Sequence, residues 1–265
     1  MSVFCDNVMV NVLVCIKQVV DVNQLRVSNG ALQEAMQRAP RKISEFDLNA
    51  LEEAVRLKEK HGGKVTILSV GSDVKTMLVR EALAMGADEA YVVSDPAMEG
   101  SDGLAIAMVL AEAARKIKGW DIILCGEASS DDAGYQIGPR LAKELGIPFL
   151  AYVTRLELKS GKVLVERTLE DFVETYEVSL PVLFTVGLEI NTPRIPSLLM
   201  IKASSKKPIT SWSLKDLGIT VKPALRTVEM KVVKSERKNV VIEGNPEEVA
   251  EKLLTSLLKE GVIRG

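Results

Sequence analysis

Hydrophobic positions along this chain fall into two rhythms: short unbroken apolar runs, and longer stretches with apolar residues three and four apart. Val8–Ile16 (VMVNVLVCI) is β-branched and apolar almost throughout, the pattern of a strand buried on both faces. From Leu48 to His61, Leu48, Leu51 and Val55 share one helical face, which Ala50, Ala54 and Leu57 widen. Ser44 and Asp47 supply a start for that helix, and Gly62-Gly63 a stop. The pattern then predicts a strand at Val65–Val70, a helix from Asp73 to Met85 and a strand at Ala90–Ser94. A helix from Leu104 to Ile117 and a strand at Asp121–Cys125 follow. Such alternation requires crossover connections, so the predicted class is α/β: a mainly parallel, doubly wound, Rossmann-like sheet.

After Gly146-Ile147-Pro148 the rhythm changes. Ala151–Leu158 and Val163–Leu169 flank Ser160-Gly161, a hairpin signal, and Phe172–Val178 with Val182–Val186 reads as a second pair. An antiparallel extension of the sheet is therefore expected. From Asn191 the segment NTPRIPSLLMIKASSKKP, with three prolines, reads as a long loop or arm. The tail offers a strand-like VVIEG and a helix opened by Asn245-Pro246-Glu247-Glu248, where an Asn cap, a first-turn Pro and acidic residues agree.

Composition narrows the function classes. At roughly 150 residues per domain, the 265-residue chain holds one large domain or two small ones. Its 47% apolar and 26% charged residues are those of an ordinary globular protein. Lys and Arg total 34 against 36 Asp and Glu, a net charge of −2, which offers no basic footprint for nucleic acid or a membrane surface. The longest apolar runs, Val8–Ile16 and Pro181–Leu188, fall far below the roughly 18 residues of a membrane span. The opening MSVFCDNVMV, with its early Asp6, lacks the pattern of a secretion signal, so a cytoplasmic protein is expected. Cys5, Cys15 and Cys125 form no CxxC pair and read as reduced thiols. The single histidine, His61, sits at a predicted helix end, where a charge–dipole contact fits better than ligation. One histidine and no metal-ligand cluster exclude most triad and histidine–metal chemistry. The reactivity is expected to come from a bound molecule.

The most informative stretch is Asp121–Leu145, DIILCGEASSDDAGYQIGPRLAKEL. A buried strand runs into Gly126, then a small polar loop, then a helix beginning near Gln136, at the strand end where open α/β sheets bind ligands. Gly126, Ala128, Ser129, Ser130, Ala133 and Gly134 allow close approach to the backbone. Their amides and the helix start suit a pyrophosphate. Asp131 and Asp132 would repel phosphate and are expected to cap the helix or bond ribose hydroxyls. An ordinary solvated loop fits the same residues. Cys15 and Val70 end neighbouring strands and fit either an adenine contact or plain core, with Ser44-Glu45-Phe46-Asp47 entering a helix beside them. No GxGxxG or Walker A motif decides the matter.

Several blocks in order, VNVLVCIKQVVD, FDLNALEEAVRLKE, EALAMGADEAYVV and GEASSDDAGYQIGPRLA, resemble the beta subunit of electron transfer flavoproteins. VERTLEDFVETYEVSLPVLFTV resembles that family's signature hairpin, and ISEFDLNALEEA, ILCGEASSD, INTPRIPSL and VVIEG resemble its FixA-like branch. The resemblance covers nearly the whole chain. It implies a heterodimer with an alpha subunit that carries electrons between a donor and an acceptor. The beta-subunit site would hold AMP or, in the bifurcating branch, the ADP portion of FAD. Carried onto this chain, the contacts fall at Cys15, Ser44, Glu45, Phe46, Asp47 and Val70. They continue from Ile122 through Cys125, Gly126, Glu127 and the polar loop to Tyr135, Gln136 and Ile137. The helix start after Gly100-Ser101-Asp102-Gly103 would approach a flavin.

The resemblance also implies a partner-recognition loop at 191–205, docking through Leu198, after a nucleotide-binding domain at 1–190. Residues 206–265 would form a C-terminal arm packed on the alpha subunit. Ser44-Glu45 replace an Asn-Pro pair common among relatives, SSDDAGYQ replaces DxDxxQ, and Glu170-Asp171-Phe172 replace an acidic-Gly run. These departures favour FAD over AMP. The implied donor is NADH, with ferredoxin-like or quinone-linked acceptors for bifurcation, or acyl-CoA dehydrogenases as donors for the AMP form. Two rivals are an ATP pyrophosphatase, for which Leu68-Ser69-Val70-Gly71-Ser72-Asp73 matches SGGxDS poorly, and a nucleotide-sensing module.

Overall fold

The computed structural model describes residues 9–27, 32–159, 161–231 and 239–263. Cys5, Asp6, Val8 and Ser160, each used in reading the sequence, lie outside them. The chain divides into two compact units, one up to Met230 and one from Lys231.

The first unit begins with β1 (Val12–Ile16), β2 (Gln18–Val20), α1 (Leu32–Arg38), β3 (Arg41–Ile43) and α2 (Glu45–His61). It continues with β4 (Val65–Gly71), α3 (Thr76–Met85), β5 (Glu89–Ser94), α4 (Gly103–Ile117), β6 (Ile122–Gly126) and α5 (Ile137–Leu145). Then come β7 (Phe149–Lys159), β8 (Lys162–Thr168), β9 (Val173–Ser179), β10 (Val182–Val186), α6 (Leu198–Ser204), β11 (Ile209–Trp212) and α7 (Leu214–Leu217). Among the described residues one nine-stranded sheet has the order β11-β5-β4-β1-β6-β10-β7-β8-β9. Every pairing from β11 to β7 is parallel, and β8 and β9 extend the sheet antiparallel.

The strands are apolar on both sides because helices cover both faces. On β1, Val12, Val14 and Ile16 join Leu51, Val55 and Leu83 from α2 and α3, whereas Leu13 and Cys15 join Val109, Leu110 and Leu141 from α4 and α5. From β1 the chain winds to β4 and β5 on one side, and then α4 carries it back to β6 on the other. The winding direction therefore reverses between β1 and β6, the place where open α/β sheets leave a crevice. Phe184 of β10 is fully buried at the sheet centre, and truncating such a residue to Ala costs about 3–5 kcal/mol.

Several expectations need correction. Val182–Val186 does not pair with the strand before it: β9 pairs with β8, and β10 inserts between β6 and β7. The reason lies in burial, since VLFTV is buried at every position while β9 is mostly exposed and sits at the sheet edge. The segment expected as a long loop or arm includes the short α6, where Ser197 Oγ accepts the Met200 amide at 3.4 Å. Residues 209–212, expected on the partner-facing tail, form edge strand β11 beside β5. His61 ends α2, but burial and Lys60 push its imidazole below its ordinary pKa, which disfavours the charge a dipole contact needs.

The second unit is the smaller of the two. It contains α8 (Pro246–Lys259), with Asn245 accepting the Glu248 amide at 2.9 Å and Glu247 and Glu248 in the first turn. The VVIEG run before it forms no strand, and Val240 and Val241 are exposed. Among the described residues no helix is long and apolar enough to cross a membrane.

Candidate functional site

The reversal point carries a cavity of about 360 Å³, within the roughly 300–1,000 Å³ of small-molecule sites. Its floor is the carboxyl ends of β1 and β6, with Cys15, Ile16, Lys17, Cys125 and Gly126. Val70 closes the side toward β4, and Ser101, Gly103, Ile106 and Leu110 of α4 and its approach close another. Glu127, Ala128, Ser129, Asp132, Gly134, Tyr135, Gln136 and Ile137 form the remaining wall.

Asp47 holds this geometry together. It lies in the first turn of α2, and Lys17 N–H donates to its Oδ2 at 2.7 Å while Gly126 N–H donates to Oδ1 at 3.1 Å. One carboxyl group thus ties the ends of both floor strands to one helix. Only glycine fits at 126, because a Cβ there would lie 2.6 Å from Asp47 Oδ1 and from Phe46 Cβ. Burial pushes the Asp47 carboxyl up to about 7, against the opposing pull of the Lys17 and Gly126 amides.

The loop after β6 is held from the opposite side by Lys17. Its ammonium donates to Asp131 at 2.7 Å, Asp132 at 2.8 Å and Ser129 Oγ at 3.1 Å. Burial opposes the Lys17 charge, but the two carboxylates outweigh it and raise the pKa. Asp132 also accepts from Ser129 Oγ at 2.6 Å and from the Gly134 amide at 3.0 Å. The two aspartates therefore do not cap the next helix: Gln136 precedes α5 without a side-chain cap bond, leaving first-turn amides for an anion. Ala133 and Tyr135 stand at φ 46° and 54°, a left-handed conformation that costs non-glycine residues about 1–3 kcal/mol each.

Not every residue singled out in the sequence reaches the cavity. Ile122 lies at the far end of β6, fully buried beside Val12. Ser44 is buried behind the loop, where its Oγ accepts the Ser130 amide at 3.3 Å, and Glu45 faces the Ser130 hydroxyl and Lys42. Phe46 packs under Gly126, while Asp131 and Ala133 shape the loop without lining the space. Ile16, Lys17, Ile106 and Leu110 also line the cavity and were missed. Lys17 carried a signal, being the first charged residue after an apolar strand that ends at the reversal point. Glu127 lines the cavity with its carboxyl raised by burial and by nearby Glu189. Among the described residues no group of His, Cys, Asp and Glu is arranged to hold a metal ion.

Leu198 stands far from this cavity in chain order, on an arm fixed to the middle of α2. Arg194 donates to Glu52 at 2.8 and 3.1 Å and to Glu59 at 2.5 and 3.0 Å. Asn49 donates to the Asn191 carbonyl at 2.7 Å, and Asn191 donates back to the Asn49 carbonyl at 3.0 Å. Beyond this anchor Ile195, Leu198 and Leu199 are at least 80% exposed.

A doubly wound sheet with a crevice at its reversal point, small residues at the loop and an uncapped helix start defines an open α/β protein whose crevice has the size of a small-molecule site. Comparison with known proteins makes this specific. The electron transfer flavoprotein domain model matches residues 31–217. The electron transfer flavoprotein subunit beta of Thermoanaerobacterium thermosaccharolyticum is 40% identical over 96% of this chain and 100% of its own length. That of Clostridium acetobutylicum is 35% identical over 94% and 98%. The caffeyl-CoA reductase-Etf complex subunit CarD of Acetobacterium woodii is 36% identical over 79% and 80%. The chain belongs to the electron transfer flavoprotein family, as one of its beta subunits.

Proposed function

We propose that the chain holds the ADP portion of FAD in the cavity between β1 and β6 and serves, with an alpha subunit, in flavin-based electron bifurcation from NADH. The observation that carries this reading is the cavity itself: its apolar sides at Val70, Ile106 and Leu110 suit flat rings, while loop amides and the open α5 start suit a diphosphate. The extension of the cavity to Ser101 and Gly103 leaves a route toward the start of α4 for the part of FAD beyond adenosine. The relative whose name places it in a caffeyl-CoA reductase-Etf complex supports a reductase assembly as the working form. When bound, the flavin supplies one- and two-electron transfer, and this chain's residues bind it, orient it and set the charge around it.

AMP is the second reading, favoured by volume, because about 360 Å³ lies near the low end of the usual range. In that case the subunit serves a single flavin held by its partner. The exposed Leu198 on its anchored arm is the proposed docking anchor for a dehydrogenase or another redox partner, since a pre-positioned apolar side chain loses little entropy on binding. The cytoplasm is the proposed compartment.

The test is to purify the alpha–beta complex, release its nucleotides, and identify them by mass and absorbance. Two FAD per heterodimer supports the first reading. One FAD plus one AMP overturns it in favour of the second, and an empty beta site overturns both.

A further inference from the structure

The two buried cysteines of the cavity floor stand side by side. Parallel β1 and β6 pair Val12 with Ile122, Leu13 with Ile123 and Val14 with Leu124, and Cys15 and Cys125 are the next residue on each strand. Adjacent strands lie about 4.8 Å apart, inside the Cα separation of about 4.4–6.8 Å that a disulfide spans. Both side chains lie in the apolar cluster on the α4–α5 face. Both are free and almost fully buried, yet both line the cavity. Solvent and small solutes therefore reach them through the space that a ligand would fill.

We infer that Cys15 and Cys125 form a reversible redox pair, oxidised by hydrogen peroxide to an intramolecular disulfide when the cavity is empty and shielded when it is filled. One thiolate attacks the peroxide O–O bond, giving a sulfenic acid and hydroxide. The neighbouring thiol then attacks the sulfenic sulfur, the S–S bond forms, and the second oxygen leaves as water. Two thiols and one peroxide thus give one disulfide and two waters, with the two electrons passing from sulfur to oxygen. Burial and the Cys15 contact hold the Cys125 thiol well above its ordinary range, so the reaction is slow and needs sustained oxidant. A disulfide between neighbouring strands stays open to reduction by small dithiols when its geometry is strained.

The shielding rests on the nucleotide reading above, whereas the disulfide does not. The full chain carrying Cys5→Ser, purified with its alpha subunit and stripped of nucleotide, is treated with hydrogen peroxide and digested without reduction. The expected product is a Cys15–Cys125 linked peptide that dithiothreitol reverses, absent from the Cys15→Ser and Cys125→Ser variants. Equilibrium dialysis with FAD and with AMP measures binding in parallel. Bound nucleotide is expected to slow disulfide formation tenfold or more. Peroxide that yields only sulfinic or sulfonic acid at one cysteine, or no change at either, overturns the redox pair. A linked peptide formed equally fast with nucleotide demonstrably bound overturns access through the cavity. If neither nucleotide binds while the linked peptide still forms, the nucleotide reading fails and the redox pair stands.

Discussion

Two carboxyl groups on α2 are both buried and behave in opposite ways. Asp47, in the first turn, is 6% exposed, and Glu52, one and a half turns on, is 3% exposed. Asp47 is met by two backbone amides, from Lys17 and Gly126, and burial wins: its pKa rises to about 7. Burial would raise Glu52 too, but Arg194 and Arg56 outweigh it and the pKa falls. The difference lies in depth and in the partners: Asp47 sits deeper and is met by amides, whereas two guanidinium groups bond Glu52 directly. A guanidinium keeps its carboxylate ionised at every physiological pH, whereas amides leave the proton free to return. The middle of the helix therefore makes a permanent anchor for the exposed arm, and its first turn makes a pH-sensitive clamp under the cavity.

The largest effect expected from this contrast is in stability against pH. Asp47 in the folded chain titrates near 7, against about 3.9 unfolded. The folded state thus binds the extra proton, and the Asp47 contribution is fully present below pH 4 and lost as pH rises through 7. Urea unfolding at several pH values should show it as a difference between wild type and Asp47→Asn that shrinks from acid to neutral pH. The integrated change is on the order of 4 kcal/mol. A difference that stays flat across this window sinks the clamp argument. Next comes the anchor: Arg194→Met strands a carboxylate that is 3% exposed, at about 2–3 kcal/mol, since Arg56 remains beside it. The midpoint in urea should fall at every pH from 5 to 8, and a loss confined to one end of that range counts against a permanent ion pair.

Smaller still is Gly126→Ala, whose Cβ would collide with Asp47 and Phe46. Displacing the first turn of α2 should cost about 1–3 kcal/mol and weaken FAD or AMP binding about tenfold by dialysis. Unchanged binding would mean that this corner does not shape the cavity. The smallest stability effect belongs to Leu198→Ala, which should leave unfolding within about 0.5 kcal/mol, because the side chain is 84% exposed. Surface plasmon resonance against a dehydrogenase partner should instead show about a tenfold or greater loss of affinity. A loss of stability with intact docking would reverse the roles given to the arm and the core.

The sequence alone settled the alternation of strands and helices, the two-sided burial of β1 and β6, and the small polar loop at the strand end. Each is a property of neighbouring residues, and periodicity and turn chemistry report those directly. Tertiary structure alone decided where β10 sits, because an apolar run shows that it is buried but not between which strands. It also left VVIEG without a strand, since a short run gains a ladder only from a partner. The same holds at the site. The reach of Lys17 across to Asp131 and Asp132, and of Asp47 to the ends of two strands, joins residues thirty to more than a hundred positions apart. Such contacts depend on which chain ends the crossovers bring together, and no local pattern encodes that distance.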